Sequence, residues 1–186
     1  LAGLRFLLVD EYQGINAEHY ALICALAGRT LAAEDDRLSL MAVGDDDQNI
    51  YAFGGASVRF IRQFETDYQA RRYQLLENYR SSGHIIDCAN QLIAPARGRM
   101  KQGVELCINH ARREQPPGGP WAELDSWGMG RVHVLEVPPE PLQEAAIALA
   151  ELQRLYALRG DTGNVGRWGH FAVIARRWDD LLPITN

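Results

Sequence analysis

Ala42-Val43-Gly44-Asp45-Asp46-Asp47-Gln48-Asn49-Ile50-Tyr51-Ala52-Phe53-Gly54-Gly55-Ala56-Ser57 is the stretch on which the reading of this chain turns. An apolar run from Leu38 to Val43 breaks at a glycine into three successive carboxylates, followed by a glutamine, two aromatics and a glycine pair. Adjacent acids repel one another, and Tyr51 and Phe53 alternate with Ala52 as if presented on one side of a loop. In α/β proteins a loop at the end of a buried strand is where ligand chemistry usually resides. The plainer alternative is an acidic turn whose aromatics fold back into the core.

On the N-terminal side, Leu4 to Val9 is a short apolar run interrupted only by Arg5, the pattern of a buried parallel strand, and it ends at Asp10-Glu11. Asn16 is placed to cap a helix with Glu18 in its first turn, where a carboxylate favours the helix dipole. His19, Leu22, Ile23 and Leu26 follow at helical spacing, and Gly28 supplies the stop. Glu34 to Arg37 is a solvated connection into the second strand, Leu38 to Val43. On the C-terminal side, Ser57 is a suitable N-cap for a helix carrying Val58, Ile61 and Phe64. Tyr73 to Leu76 has the composition of a third strand, leading into Glu77-Asn78-Tyr79-Arg80-Ser81-Ser82. Either serine can cap a helix with Ile85, Ile86, Ala89, Leu92 and Ile93 on one face, closed by Pro95. Strands alternating with helices predict a parallel α/β sheet.

From Pro95 to Arg131 periodicity fades, and Pro116-Pro117-Gly118-Gly119-Pro120 marks a linker or irregular crossing. The first half of that crossing is basic, with Arg97, Arg99, Lys101, Arg112 and Arg113 set against Glu105. Such a run is either a solvated surface or a contact for phosphate. Order returns at Val132 to Val137, a predicted strand, and Leu142, Ala145, Ala146, Leu149, Leu152 and Tyr156 mark a long amphipathic helix. Phe171 to Ala175 is predicted as a further strand. The division expected is 1–94, a crossing over 95–131, and an unfinished α/β unit over 132–186.

With 186 residues, 47% apolar and 23% charged, the composition is that of an ordinary globular protein able to bury a sizeable core. No run approaches the roughly 18 apolar residues of a membrane span, and the N-terminus lacks the basic head of a signal peptide. The chain opens almost directly on a strand without an initiator Met, as expected of a piece of something longer. Cys24, Cys88 and Cys107 are an odd set without metal-ligand spacing, which predicts a reduced, cytoplasmic compartment. A formal net charge of −5 argues against coating nucleic acid by bulk charge, while leaving room for a local basic track.

Asp10-Glu11 after a strand has a definite chemical use. The first carboxylate can hold Mg²⁺, often through water, because that ion prefers hard oxygens and keeps much of its hydration shell. The next carboxylate points elsewhere and can polarise an attacking water. The pair also occurs as a simple helix entry. In order along the chain come Asp10-Glu11-Tyr12-Gln13, Val43-Gly44-Asp45-Asp46-Asp47-Gln48-Asn49-Ile50-Tyr51, and Asn78-Tyr79-Arg80-Ser81. Together these resemble the motor core of superfamily 1 DNA helicases of the UvrD/Rep type: the Walker B motif, the coupling motif, and the Asn-Tyr-Arg-Ser motif that begins the second motor domain. The resemblance is strong from Leu4 to Ile93 and looser beyond Gly130.

The resemblance implies an α/β fold of the RecA-like, P-loop NTPase type without its N-terminal P-loop part, followed by an incomplete second RecA-like unit. It implies ATP and Mg²⁺ as cofactors, and single-stranded and duplex DNA together with the remainder of a helicase chain as partners. Asp10 would coordinate Mg²⁺, Glu11 would activate the hydrolytic water, and Gln48 would sense the γ-phosphate, its amide offering both a donor and an acceptor. Tyr79 would stack on adenine, and Arg80 would act as an arginine finger, since a planar permanent cation suits the charge of a transferring phosphoryl group. Tyr51 and Phe53 would stack on single-stranded bases, a contact worth about 1–3 kcal/mol per base.

Departures accompany the likeness. The family usually has Asp where Gly14 stands and a basic residue, commonly Arg, at Gly54. The sequence contains no Gly-x-x-x-x-Gly-Lys-[Ser/Thr], and Gly160 to Trp168 has neither the spacing nor the lysine. Two functions are therefore carried forward: part of a 3′→5′ ATP-dependent DNA helicase, catalytically inert as this piece alone, or a degenerate, non-catalytic helicase-derived binding module.

Overall fold

The computed structural model describes residues 3–29, 31, 37–50, 54–160 and 168–185. These fall into two compact units, one made of Leu1–Leu75 with Ile93–Glu105, the other of Leu76–Leu92 with Leu106–Asn186. Among the described residues no helix is long and apolar enough to cross a membrane.

In the first unit, β1 (Phe6–Val9) pairs in parallel with β2 (Ser39–Ala42), from Phe6 opposite Ser39 to Val9 opposite Ala42. Side chains alternate across a strand. Leu7, Val9, Leu40 and Ala42 therefore turn inward onto a core of Tyr12, Ile15, Tyr20, Ile23, Phe60 and Phe64. The two strands were expected to be buried on both faces. Instead Phe6 is 69% exposed and Leu8 70%, so among the described residues only one face is covered. The near-continuous apolar sequence is that of a two-sided parallel strand; helices on the second face are not supplied by this segment.

Helix α1 (Ala17–Leu26) starts as expected at Asn16, whose Oδ1 accepts the His19 N–H at 3.0 Å while His19 Nδ1 accepts the Asn16 N–H at 3.4 Å. It stops at Gly28, where φ is +72°, a left-handed setting that glycine adopts without Cβ strain. Helix α2 runs Arg59–Tyr68, and here the predicted cap is displaced. Val58 occupies the cap position with helical backbone, and Ser57, one residue further out, accepts the Arg59 N–H at 3.3 Å through its hydroxyl. Phe60 and Phe64, four apart on one helix face, reach Tyr20 and Tyr12 at ring-centroid distances of 5.4 and 5.3 Å. Asp67 ties the two helices together, accepting from the Tyr20 hydroxyl and pairing with Arg29 at 2.8 Å.

In the second unit, β3 (Glu77–Asn78) pairs in parallel with β4 (Cys107–Ile108). The strand expected over Tyr73 to Leu76 is shorter and later: Leu76 contributes only its carbonyl, which accepts the Cys107 N–H at 2.9 Å. Helix α3 (Gly83–Ile93) follows, with Ile86 buried, ending ahead of Pro95 as its composition predicts. Asn90 closes a ring with Leu106, donating to its carbonyl at 2.8 Å and accepting its N–H at 3.1 Å.

The proline- and glycine-rich crossing is ordered by close backbone approach. A Cβ on Gly118 would lie 2.0 Å from the Met129 carbonyl oxygen, a distance only glycine permits. Between these residues lies the short helix α4 (Trp121–Leu124), and then Asp125, 4% exposed. The Asp125 carboxylate takes the Gly128 N–H at 2.9 Å and both guanidinium arms of Arg154, at 3.0 and 2.8 Å. Hydrogen bonding from Arg154, then from the Gly128 amide, holds this carboxyl down at about 2.

Arg154 belongs to α5 (Pro141–Gly160), the long helix expected from periodicity, and α6 (Leu182–Thr185) ends the described chain. Val132–Val137 and Phe171–Ala175, predicted as strands, have no strand partner among the described residues. Val134 and Ile174 are each 90% exposed. A parallel strand forms only against a neighbour, and these segments find none here.

Candidate functional site

The turn after β1 carries the first pair of predicted residues. Asp10 is exposed, and one of its carboxylate oxygens accepts the Glu11 N–H at 2.9 Å. Glu11 sits at φ +50°, left-handed for a residue with a Cβ, a setting that costs about 1–2 kcal/mol and must be held by its surroundings. The holding is done by Gln13, which is 5% exposed. Its Nε2 donates to Glu11 Oε2 at 2.6 Å, and its Oε1 accepts the Asp45 N–H at 3.0 Å. The Tyr12 N–H adds a bond to the Val43 carbonyl at 2.9 Å. One buried amide thus orients the Glu11 carboxylate and locks the turn after β1 to the turn after β2. Sequence reasoning placed Gln13 inside a motif and gave it no role; a glutamine between a tyrosine and a glycine carries no signal of a partner 32 residues away.

Gly44 permits this stitch. A Cβ there would meet Gln13 Oε1 at 2.8 Å and the backbone nitrogens of Gln13 and Tyr12 at 3.1 Å. Gly44→Ala is therefore expected to destabilise the first unit by about 1–3 kcal/mol, the range for a methyl forced into packed atoms. Denaturant unfolding checks this, and an unchanged midpoint would contradict the close approach of the two turns.

The acidic turn itself winds into a single 3₁₀ turn, Asp46–Gln48, capped by Asp45 Oδ1 accepting the Asp47 N–H at 3.1 Å. Gln48 donates through Nε2 to Asp45 Oδ2 at 2.9 Å. The repulsion expected among the three carboxylates is relieved by the basic crossing. Arg99 grips Asp47 with two bonds of 2.7 Å, the Met100 N–H reaches Asp46 Oδ2 at 2.6 Å, and Lys101 binds Asp45 and, at 3.1 Å, Asp47. Two members of the run that sequence left between solvent and phosphate are thus committed to aspartates. A third, Arg112, donates to the carbonyls of Tyr79 and Ser81 at 2.8 and 2.9 Å.

Partial burial pushes the Asp45 carboxyl up, but hydrogen bonds from Lys101 and Gln48 outweigh it and the net shift is down. The Arg99 hydrogen bonds lower Asp47 despite its burial. A carboxylate whose folded value lies below its unfolded value stabilises the fold fully above the unfolded value, about pH 4, and the contribution fades as pH falls through the lower folded value. Acid unfolding followed by circular dichroism should show a loss of stability beginning below about pH 4, and Asp47→Asn should flatten that acid limb.

Tyr51 and Phe53, predicted to meet DNA bases, lie outside the described residues. At Gly14 and Gly54, where the family pattern departs, an added Cβ would meet nothing within 4 Å. Neither glycine is there to admit a neighbour.

In the second unit, Asn78 turns the chain by accepting the N–H groups of Arg80 and Ser81 at 2.9 and 2.7 Å. With Arg112 on the two carbonyls, the loop is pinned through its backbone, leaving the Tyr79 and Arg80 side chains exposed. The Tyr79 hydroxyl donates to Glu77 Oε2 at 3.0 Å, and Asn109 donates to the same oxygen at 2.9 Å. That bond raises the tyrosine hydroxyl above its ordinary value and lowers Glu77. The ring face stays open at 71% exposure of the residue.

Chemically, the first unit presents an exposed hard-oxygen ligand, Asp10, beside an oriented carboxylate, Glu11, with an amide donor, Gln48, on the adjoining turn. These are the donor types that suit Mg²⁺, a water and a phosphate. The second unit presents an open aromatic face and a guanidinium on a backbone-pinned loop.

Comparison with known proteins agrees with these motifs. Residues 2–69 match the UvrD/REP helicase N-terminal domain. The ATP-dependent DNA helicase UvrD1 of Mycobacterium bovis is 46% identical over 99 residues, covering 53% of this chain and 13% of that protein. DNA helicase II of Escherichia coli is 43% identical over 95 residues, 50% of this chain and 12% of that protein. The ATP-dependent DNA helicase Rep of Escherichia coli is 44% identical over 92 residues, 49% of this chain and 13% of that protein. The chain spans about an eighth of the length of these relatives. Through residues 2–69, where the strand-end carboxylates and the acidic turn lie, the chain is similar to the UvrD/REP helicase N-terminal domain.

Proposed function

We propose that this chain is part of an ATP-dependent DNA helicase motor that translocates 3′→5′ on single-stranded DNA. The observation that carries the reading is the Gln13 stitch. One buried side chain orients the Glu11 carboxylate and fixes the backbone of the turn bearing Gln48, so groups suited to water and to phosphate are set by the same hydrogen bonds.

In this reading Asp10 holds Mg²⁺ through its free carboxylate oxygen, Glu11 accepts the proton of the attacking water, and Gln48 donates to the γ-phosphate. Arg80 neutralises phosphoryl charge and Tyr79 stacks on adenine. Bound Mg²⁺–ATP supplies the phosphoryl group and a Lewis-acid charge. The residues present fit that group in part: a metal ligand, a base and a donor are here, and a phosphate-cradling loop is not in this sequence. Residues 1–94 would then close the first RecA-like motor domain, 95–131 cross, and 132–186 begin the second, in a cytoplasmic protein completed by the rest of the helicase. Tyr51 and Phe53 would grip bases a few residues from Gln48, coupling nucleotide occupancy to DNA.

In a complete helicase carrying this segment, Gln48→Ala should abolish most of the DNA stimulation of ATP hydrolysis, and intact stimulation would sink the coupling. The 186-residue chain alone should show no DNA-dependent turnover. The second reading, a degenerate binding module, draws on Gly14 and Gly54. It predicts DNA binding without turnover even in the complete protein.

A further inference from the structure

We propose that Arg99 and Lys101 are positioning residues for Gln48. This rests on the reading in which Gln48 faces the γ-phosphate, and it adds the groups that set the amide.

A glutamine side chain is oriented by a carboxylate only if that carboxylate is itself fixed. Asp45 is fixed on both oxygens: Oδ1 takes the Asp47 N–H and the Lys101 ammonium, and Oδ2 takes Gln48. Lys101 also bridges to Asp47 at 3.1 Å, and Arg99 closes on Asp47 with a two-pronged grip. With the Met100 N–H on Asp46, three consecutive residues engage the three consecutive aspartates. The side chains of Arg99 and Lys101 are only 11% and 15% exposed, so water and salt compete weakly with these contacts. Gln48, by contrast, is exposed. One of its two amide hydrogens is spent on Asp45, which leaves the second N–H and the carbonyl oxygen of this exposed side chain for a ligand.

The clip comes from a different part of the chain than the turn it holds. Residues 93–105 pack with the first unit, although α3 up to Leu92 packs with the second. A chain that ran on from α3 without returning would leave the aspartates to repel one another and Gln48 to swing.

The test reads the Gln48 side-chain amide by ¹H–¹⁵N NMR in the 186-residue chain, assigned by its disappearance in Gln48→Ala. In the unsubstituted chain the amide should be as ordered as the backbone, with an order parameter near about 0.85; a value below about 0.6 overturns the proposal without need of any variant. Lys101→Met should shift the Gln48 amide to the position of free glutamine while the Gln13 amide stays put, and Lys101→Arg should restore it. An unmoved Gln48 amide in folded Lys101→Met overturns the proposal. In a complete helicase carrying the segment, Lys101→Met should lower kcat about tenfold with KM for ATP within about twofold, the pattern of a misplaced transition-state contact. Release of the amide with unchanged kcat would leave the positioning standing and overturn instead the assignment of Gln48 to the γ-phosphate.

Discussion

Phe60→Ala is expected to destabilise the first unit by about 3–5 kcal/mol, enough to consume much of the stability of an ordinary domain. Phe60 is 3% exposed and stacks on Tyr20 with ring centroids 5.4 Å apart, and Tyr20 is in turn tied to Asp67. Removing the ring leaves a cavity between α1 and α2 that neither helix can close without breaking the Tyr20–Asp67 and Arg29–Asp67 links. Phe60→Leu, which keeps most of the volume, should cost less than about 1.5 kcal/mol. Urea unfolding of the two variants decides the matter. Equal losses would mean that Phe60 acts through its aromatic ring; two negligible losses would mean that it is not in the core.

Glu11→Gln should leave the fold intact and remove most ATP turnover in a complete helicase carrying this segment. The substituted side chain keeps an oxygen acceptor for the Gln13 amide, which now donates to Glu11 Oε2 at 2.6 Å. The unfolding midpoint should therefore move little. What is lost is the negative charge that accepts a proton from water, and general-base contributions of this kind are about 10²–10⁴-fold in rate. Nucleotide binding should survive, since Asp10 and Gln48 are untouched. A variant that turns over ATP at the original rate would remove Glu11 from the chemistry. One that unfolds would instead assign Glu11 to the structure, through its strained backbone and its bond to Gln13.

The motifs were legible because their chemistry is local. Asp10-Glu11 at a strand end, the acidic turn after a second strand, and Asn78 to Ser81 were visible as ordered clusters of side-chain types, and the UvrD/REP helicase N-terminal domain matches over the region holding the first two of these. Asn16 as a cap and Gly28 as a stop were equally local, each depending on groups within one helical turn. The displaced cap at Ser57 shows the limit of that reasoning: a hydroxyl can serve the first turn from one residue further out. The predicted strands at Val132–Val137 and Phe171–Ala175 failed for another reason. β-propensity describes a fit to a neighbouring surface, and the neighbour is not specified by the segment's own composition.

By itself, then, the sequence determined the alternation of strands and helices through residue 93, the resemblance to UvrD/Rep helicases, and which polar side chains follow the first two strands. Only the tertiary structure decided what those groups lean on. Asp45 to Asp47 are neutralised by residues 52–56 positions later, Gln13 reaches Asp45 across 32, and Asp125 meets Arg154 across 29. Periodicity and capping report on contacts within a turn or two of helix, where chain connectivity already holds the partners close. A pairing across fifty residues forms only when packing of the core brings the two segments together, and no local pattern in either segment records that meeting.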